Sequence, residues 1–285
     1  MRSSPLPTLP PILALVALAA CAPAATRGPA LQDAVYARTP GDTLRYTWET
    51  EFYDPPQWDS VSARRSWRLA VTFTGGDTAR AWIEALRLET TGSDARVFTA
   101  GPEVVGLPFV LRVGPLGSDS VLAVPQIPNG WSEARSQFNG FFPRLPGGPL
   151  RPGRDWSEGS TVDVSDSLWT GESTRSVHYQ VVGDSTLHGA RVVVIAFDLQ
   201  ATRQIRRRPG GTQLPPDLPY RPELVQTVSY EQHGRLYFEP RTGRLVRRTH
   251  AGKETQELPS YTSPEAAVLE RRYRSTVELV PRRRR

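Results

Sequence analysis

Apolar side chains recur at every second position through much of residues 41–256, as in Leu44, Tyr46 and Trp48 or Val177, Tyr179 and Val181. Successive side chains of a strand point to opposite faces, so this period buries one face of an antiparallel sheet and leaves the other to water. Strands are expected at Thr43–Tyr53, Ser66–Thr74, Thr78–Glu89, Val97–Ala100, Phe109–Val113, Val121–Pro125, Ser160–Leu168, Thr174–Gly183, His188–Gln200, Glu223–Gln232, Arg235–Glu239 and Leu245–Ala251. Turn chemistry falls between them at Thr74–Asp77, Gly114–Asp119, Gly183–Thr186 and Pro240–Gly243, which orders neighbouring strands as meanders. About a dozen strands in one sheet must curl or split to bury an apolar face. The expected fold is mostly β, a curved half-barrel or open barrel carrying one or two short helices, with a two-sheet sandwich as the alternative.

Two stretches break the period of two. Trp131, Ala134 and Phe138 stand at i, i+3 and i+7, consistent with a short amphipathic helix, and Phe141-Phe142-Pro143-Arg144-Leu145-Pro146-Gly147-Gly148 cannot continue it. Ser263-Pro264-Glu265 reads as a helix start, with Ala266–Tyr273 as the body and Thr276–Val280 as a last strand. Gln204–Pro222, rich in proline, is expected to be a loop linking two strands.

The two halves parallel each other. Arg65–Val71, a Gly-Asp turn and Ala81–Leu88 match Arg175–Val181, a Gly-Asp turn and Val192–Leu199, while Leu107–Val113 and Ser120–Ala123 match Gly234–Glu239 and Arg244–Arg247. The pattern predicts two repeated antiparallel meanders, 41–126 and 153–256, joined by a helix and Pro/Gly-rich connector at 127–152 and followed by a C-terminal segment, 257–285.

The first twenty residues have the makeup of an export signal: Arg2, an apolar run from Leu6 to Leu18, then Leu18-Ala19-Ala20-Cys21. The run from Leu9 to Ala20 contains Pro10 and Pro11 and is shorter than the roughly 20 residues of a membrane-spanning helix. The tetrad resembles the lipobox of bacterial lipoproteins. That resemblance implies cleavage after residue 20 and lipidation of Cys21, with 21–40 as the lipidated cysteine and tether. Each buried CH₂ contributes about 0.8 kcal/mol, and two or more acyl chains hold a protein stably on a bilayer. Ala22 follows the cysteine where an Asp commonly retains Gram-negative lipoproteins in the inner membrane, so the resemblance implies an outer-membrane anchor facing the periplasm. Cys21 is the only cysteine, which excludes an intramolecular disulfide in a compartment that would permit one.

A formal charge of +6 is modest, and all but one of the basic side chains are arginine, Lys253 being the exception. Export removes nucleic acid as a partner. Arg206–Arg208 and Arg282–Arg285 are read as a solvated turn and a frayed tail. Gly41-Asp42-Thr43-Leu44-Arg45-Tyr46, Phe142-Pro143-Arg144-Leu145-Pro146 and Leu150-Arg151-Pro152-Gly153-Arg154-Asp155-Trp156, set behind a lipobox, resemble a family of bacterial envelope proteins with no agreed activity.

No motif assigns a catalytic residue. Gly183-Asp184-Ser185 imitates the nucleophile of GDSL esterases, but it is mid-chain between β runs and no Asp-x-x-His follows. His178, His188, His233 and His250 form no pair at metal-ligand spacing, and no phosphate-cradling or dinucleotide motif is present, so neither metal nor cofactor is expected. Glu49, Glu51 and Glu84 fall in β runs as solvent-facing charges. Of Trp48, Trp58, Trp67, Trp82, Trp131, Trp156 and Trp169, most are expected to fill the core, with Trp58 beside Pro55-Pro56 as an exposed contact. The sequence thus predicts a membrane-anchored binding protein, for an apolar or lipid-like ligand or an envelope component. An assembly factor is the second reading and an envelope hydrolase the third. The Trp131–Phe138 helix is expected to leave a groove of several hundred Å³ on the sheet.

Overall fold

Alternating burial runs along the strands as the sequence demands: in β1 (Thr43–Tyr53) Leu44, Tyr46, Trp48, Thr50 and Phe52 are buried and the residues between them are not. The computed structural model describes residues 33–90, 102–123, 138, 140–163, 169–207, 225–258 and 265–281. After β1 come β2 (Ala63–Gly75), β3 (Thr78–Thr90), β4 (Phe109–Gly114), β5 (Gly117–Ala123), β6 (Asp155–Asp163), β7 (Trp169–Leu187), β8 (Ala190–Arg207), β9 (Val225–Glu239), β10 (Arg244–Leu258) and β11 (Ala267–Leu279). They form one antiparallel sheet in the order β5-β4-β3-β2-β1-β11-β10-β9-β8-β7-β6. The sheet is open, with β5 and β6 as its edges, and the sandwich alternative falls because a single sheet holds every strand among the described residues.

Two meanders, β1–β5 and β6–β10, run in opposite directions across this order, and β11 joins them by pairing with both β10 and β1. Residues from both meanders share one core, from Leu69 and Phe109 to Tyr179 and Phe238, so the sheet curls around a common interior. Between β5 and β6 in sequence, residue 138 and residues from 140–150 contribute side chains to that interior. Phe138, Phe141, Phe142, Leu145 and Leu150 of this connector are buried to 1% exposure or less. Phe141 packs edge-on against Tyr46 and Phe142 against Tyr36, at 5.0 and 5.4 Å between ring centroids. The concave face is therefore plugged by the chain itself, where a groove under a helix was expected. Of that expected helix, Trp131 and Ala134 lie outside the described residues and Phe138 is helical.

Gly140 fixes the plug. Its φ of +73° favours a residue without Cβ, and an added Cβ would lie 2.2 Å from Nη1 of Arg175 on β7. Arg248 of β10 donates to the Gly140 carbonyl at 3.3 Å, so cations from two strands close on one plug residue.

The two ends of the sheet differ. Tight turns at 76–77, 115–116, 188–189 and 240–243 gather at one end of the sheet, and the strand ends that flank the longer intervals between β1 and β2, β3 and β4, β6 and β7, β8 and β9, and β10 and β11 lie at the other, called here the link end. Residues 33–40, expected to belong to a tether, dock at the turn end. Ala34 and Tyr36 are buried, and the N–H groups of Ala34, Tyr36 and Ala37 donate to the carbonyls of Gly148, Pro115 and Gly243. The Tyr36 hydroxyl reaches the Pro143 carbonyl at 2.9 Å.

Three expectations are corrected. The helix over Ala266–Tyr273 is strand β11, because Tyr273, Ser275 and Val277 are buried on one face between β1 and β10; two flanking ladders outweigh a good local helix start. Gly183–Thr186 is not a turn: β7 continues through a bulge between Val181 and Gly183, and the chain reverses at His188-Gly189, both at positive φ (51° and 76°) as a type I′ hairpin requires. Gln204–Arg207 belong to β8, and Val225–Gln232 of the expected strand Glu223–Gln232 run with Arg235–Glu239 as one strand, β9, through Gly234, Glu223 and Leu224 lying outside the described residues. Val97–Ala100 and the remainder of the Gln204–Pro222 loop lie outside the described residues.

Candidate binding face

Strand register decides which side chains line the concave face, because directly paired residues share a side. One row crosses eight strands: Trp156, Tyr179, Phe197, Gly234, His250, Ser275, Thr50 and Arg65 are successive partners from β6 to β2. The next row toward the link end contains Glu158, Gln232, Gly252, Tyr273 and Phe52. The row beyond it contains Arg175, Tyr230, Glu254 and Arg271.

Together the first two rows form an aromatic belt. Trp156 stacks on Tyr179 (5.2 Å, 17° between planes), Tyr179 meets Phe197 (6.4 Å), Phe197 meets His250 (6.2 Å), His250 meets Tyr273 edge-on (6.0 Å), and Tyr273 meets Phe52 (6.3 Å). The Phe197–His250 contact spans β9, and Gly234 makes it possible. A Cβ on Gly234 would come within 2.2 Å of the Thr249 carbonyl oxygen and 2.7 Å of the His250 Cβ, so the strands approach too closely for any other residue.

Chemically the belt is a boundary. On its turn-end side lies the plug, with Trp48 and Trp67 packed beside Phe141. Toward the links the concave face is half-buried and polar, carrying Gln232, Tyr230, Glu254, Arg175 and Arg271. Arginines cover the belt's edges: the Arg65 guanidinium lies 4.6 Å from the Trp67 ring centroid, that of Arg271 5.3 Å from Phe52 and that of Arg248 5.2 Å from Trp48. Arg271 also clasps Asp54 at 2.7 and 3.3 Å. Burial alone would raise the Asp54 carboxyl, but hydrogen bonds from Arg271 and Ser62 outweigh it and hold its pKa below the usual value.

Some polar atoms in this region are buried without a hydrogen-bond partner among the described residues, including His250 Nδ1 and Trp67 Nε1. Burial, then the charge of Arg248 and the proximity of His233, push the His250 pKa down to about 3, so its ring is neutral at physiological pH. Burial raises the Tyr273 phenol, and Glu254 adds to the effect. Burial likewise raises Tyr179, aided by Glu158, to which it donates a 2.7 Å hydrogen bond. By contrast Trp48 Nε1 is satisfied, donating to Ser275 Oγ at 2.6 Å.

Only part of this was expected. Trp48 and Trp67 fill the core as read, and Trp156 lies on the belt with its Nε1 bonded to the Arg144 carbonyl at 2.8 Å. Trp58 is half-buried under the Arg272 guanidinium, 4.4 Å from its ring, and Trp82 is half-buried on the convex face. Glu51 and Glu84 pair with Arg64 and Arg45 on that outer face, with Glu49 between them in register. Histidines 178, 188 and 233 are exposed, and His188 bonds Glu278 at 2.7 Å. His250 is the one that turns inward. No group of three metal-ligating side chains occurs among the described residues. Cys21, Trp131 and Arg282–Arg285 lie outside them.

The convex face offers a weaker alternative. Gly159, Thr161, Thr174, Ser176, Gln200 and Thr202 line a shallow, hydroxyl-rich depression of about 500 Å³. Beside it Ser157 Oγ meets His178 Nδ1 at 3.1 Å, with Asp198 the partner of His178 in register. This order imitates a catalytic triad, but the side chains stand exposed on an open sheet, where nothing sequesters a developing charge from water. Compared with protein-family models and with curated proteins, the chain matches none.

Proposed function

We propose that the protein is a lipid-anchored binding protein of the bacterial envelope, without catalytic chemistry, whose concave face receives an amphipathic partner at the aromatic belt. The observation that carries this reading is the change of character at the belt. Toward the plug the face is aromatic and dry, and toward the links it presents arginines, tyrosines and amides within one side chain's reach. Such a boundary suits a molecule with an apolar body and a polar or anionic head, and the His250 nitrogen, buried without a partner, is a ready hydrogen-bonding group for it. A wholly apolar ligand is a poorer fit, because the connector's phenylalanines already occupy the apolar end.

The test is native mass spectrometry of the protein purified gently from a bacterial host. We expect a co-purifying small molecule whose occupancy falls at least tenfold in Tyr230→Ala, a half-buried belt neighbour. A protein of bare mass that gains no amphiphile on titration would overturn the reading. The plug's complete burial would then favour the second one, an assembly factor that presents its surface to another envelope protein.

The anchor is tested separately. Cys21→Ala is expected to abolish acyl mass on the amino-terminal peptide and to move the protein out of the membrane fraction. Unchanged fractionation, with no acyl mass on the wild-type peptide, would refute lipidation.

A further inference from the structure

From the belt toward the link end, the concave residues of β8 run Phe197, Leu199, Ala201 and Arg203, and those of β7 beside them run Tyr179, Val177, Arg175 and Ser173, paired rung for rung. An apolar lane of Phe197, Val177, Leu199 and Ala201 therefore leads from the belt to Arg203. Strand rise sets its two ends about 20 Å apart. Arg175 and Arg271 stand at the same polar end, but each has a carboxylate on its own face: Arg175 meets Glu158 at 3.4 Å, and Arg271 clasps Asp54 at 2.7 Å. Among the described residues Arg203 has none. Its Nε is buried without a hydrogen-bond partner, although the side chain as a whole is only half-buried. Its neighbours across the rungs are neutral, Ser173 on one side and Val228, then Gln256, on the other. A cation partly withdrawn from water with no counter-charge is costly alone and strongly favours an arriving anion.

We propose that the amphipathic partner carries a carboxylate head held by Arg203, with an alkyl body lying along Leu199 and Ala201 toward Phe197. This rests on the concave-face reading and adds the charge of the head. The planar guanidinium presents paired N–H donors that match two carboxylate oxygens. One guanidinium without a carboxylate balances one negative charge, whereas a phosphate monoester carries nearly two near neutral pH.

The chain from Ala22 onward, made without acyl groups, tests the site free of the anchor; Leu31–Arg285 is one compact unit holding all of the described core, so this chain retains its fold. Tryptophan fluorescence, which Trp156 on the belt makes sensitive to an occupant, is titrated with dodecanoate, dodecyl phosphate and dodecyl maltoside below micelle-forming concentrations. Dodecanoate is expected to bind about ten- to a hundredfold more tightly than dodecyl maltoside, the range for hydrogen bonds to a charged group. Arg203→Gln should lower dodecanoate affinity to that of dodecyl maltoside and leave dodecyl maltoside unchanged, which also shows that the variant is folded. Arg206→Gln removes the same charge from the convex face and should alter neither. Equal wild-type affinities for dodecanoate and dodecyl maltoside, an undiminished Arg203→Gln variant, an equal loss from Arg206→Gln, or tighter binding of dodecyl phosphate would each overturn the carboxylate site while the binding face stands. Failure of all three amphiphiles to bind would overturn both.

Discussion

Phe142→Ala is expected to destabilise the protein by about 3–5 kcal/mol, the range for removing a fully buried phenylalanine from a core that cannot collapse into the space. Phe142 is completely buried in the connector and touches Tyr36 from the docked amino-terminal segment, Phe73 from β2 and its neighbour Phe141, with ring centroids 5.1–6.1 Å apart. These contacts join the connector, the first meander and the segment that staples the turn end, so the cavity would open where three parts of the chain meet. Denaturant unfolding should show a lower midpoint with an unchanged slope. A loss below about 1 kcal/mol would mean that the connector is not a structural plug, since an exposed phenylalanine costs little to truncate.

The second large effect is a loss of stability in mild acid, caused by His250. Its folded pKa of about 3 lies below the ordinary value of 6.5, so the unfolded chain takes up a proton more readily than the native one. The contribution is fully present above pH 6.5 and is lost as pH falls toward 3, at about 1.4 kcal/mol per pH unit. Carboxylates held low by their partners, such as Asp54, lose stability in the same direction, but only below about pH 5 where unfolded carboxyls begin to protonate. The interval from pH 6.5 to 5 therefore belongs to His250. His250→Phe, which keeps a ring between Phe197 and Tyr273, should flatten the stability profile across that interval. An unaltered acid slope in this variant would place the proton uptake elsewhere.

Much of the sheet was legible because its signal is local. Period-two alternation located β1 to the residue and β3 within one, since each strand carries its own pattern of buried and wet positions. The errors came where distant partners decide the outcome. Ser263-Pro264-Glu265 is a sound helix start, yet β11 runs through Tyr273 because β1 and β10 both need a partner there. Gly183-Asp184 has turn chemistry, but the long β7–β8 ladder absorbs it as a bulge and turns instead at His188-Gly189. Local sequence showed only that Phe141–Gly148 could not continue a helix, and nothing local placed Phe141 and Phe142 in the interior, because their partners Tyr46, Tyr36 and Phe73 lie far away in the chain.

The candidate face was least legible, because it is assembled by register across eight strands. Tyr273 was hidden by its assignment to a helix. His250 reads like the other three histidines until pairing with Gly234 and Ser275 places it on the inner side. Arg175 and Tyr230 also look like ordinary alternating strand residues. The aromatic signal was present in the tryptophans, but the belt draws on Tyr179, Phe197, Tyr273 and Phe52 as much as on Trp156. Its position depends on the one strand, β9, that contributes a glycine and not a ring.

The most direct test of the binding face needs no knowledge of the partner. A photo-crosslinking residue at Gln232, half-buried on the concave face beside the belt, is compared in living cells with one at Gln200, exposed on the convex face. Mass spectrometry of the irradiated protein should find a discrete adduct at position 232 and none at position 200. Adducts at 200 with none at 232, or no adduct at either, would contradict a partner seated in the concave face.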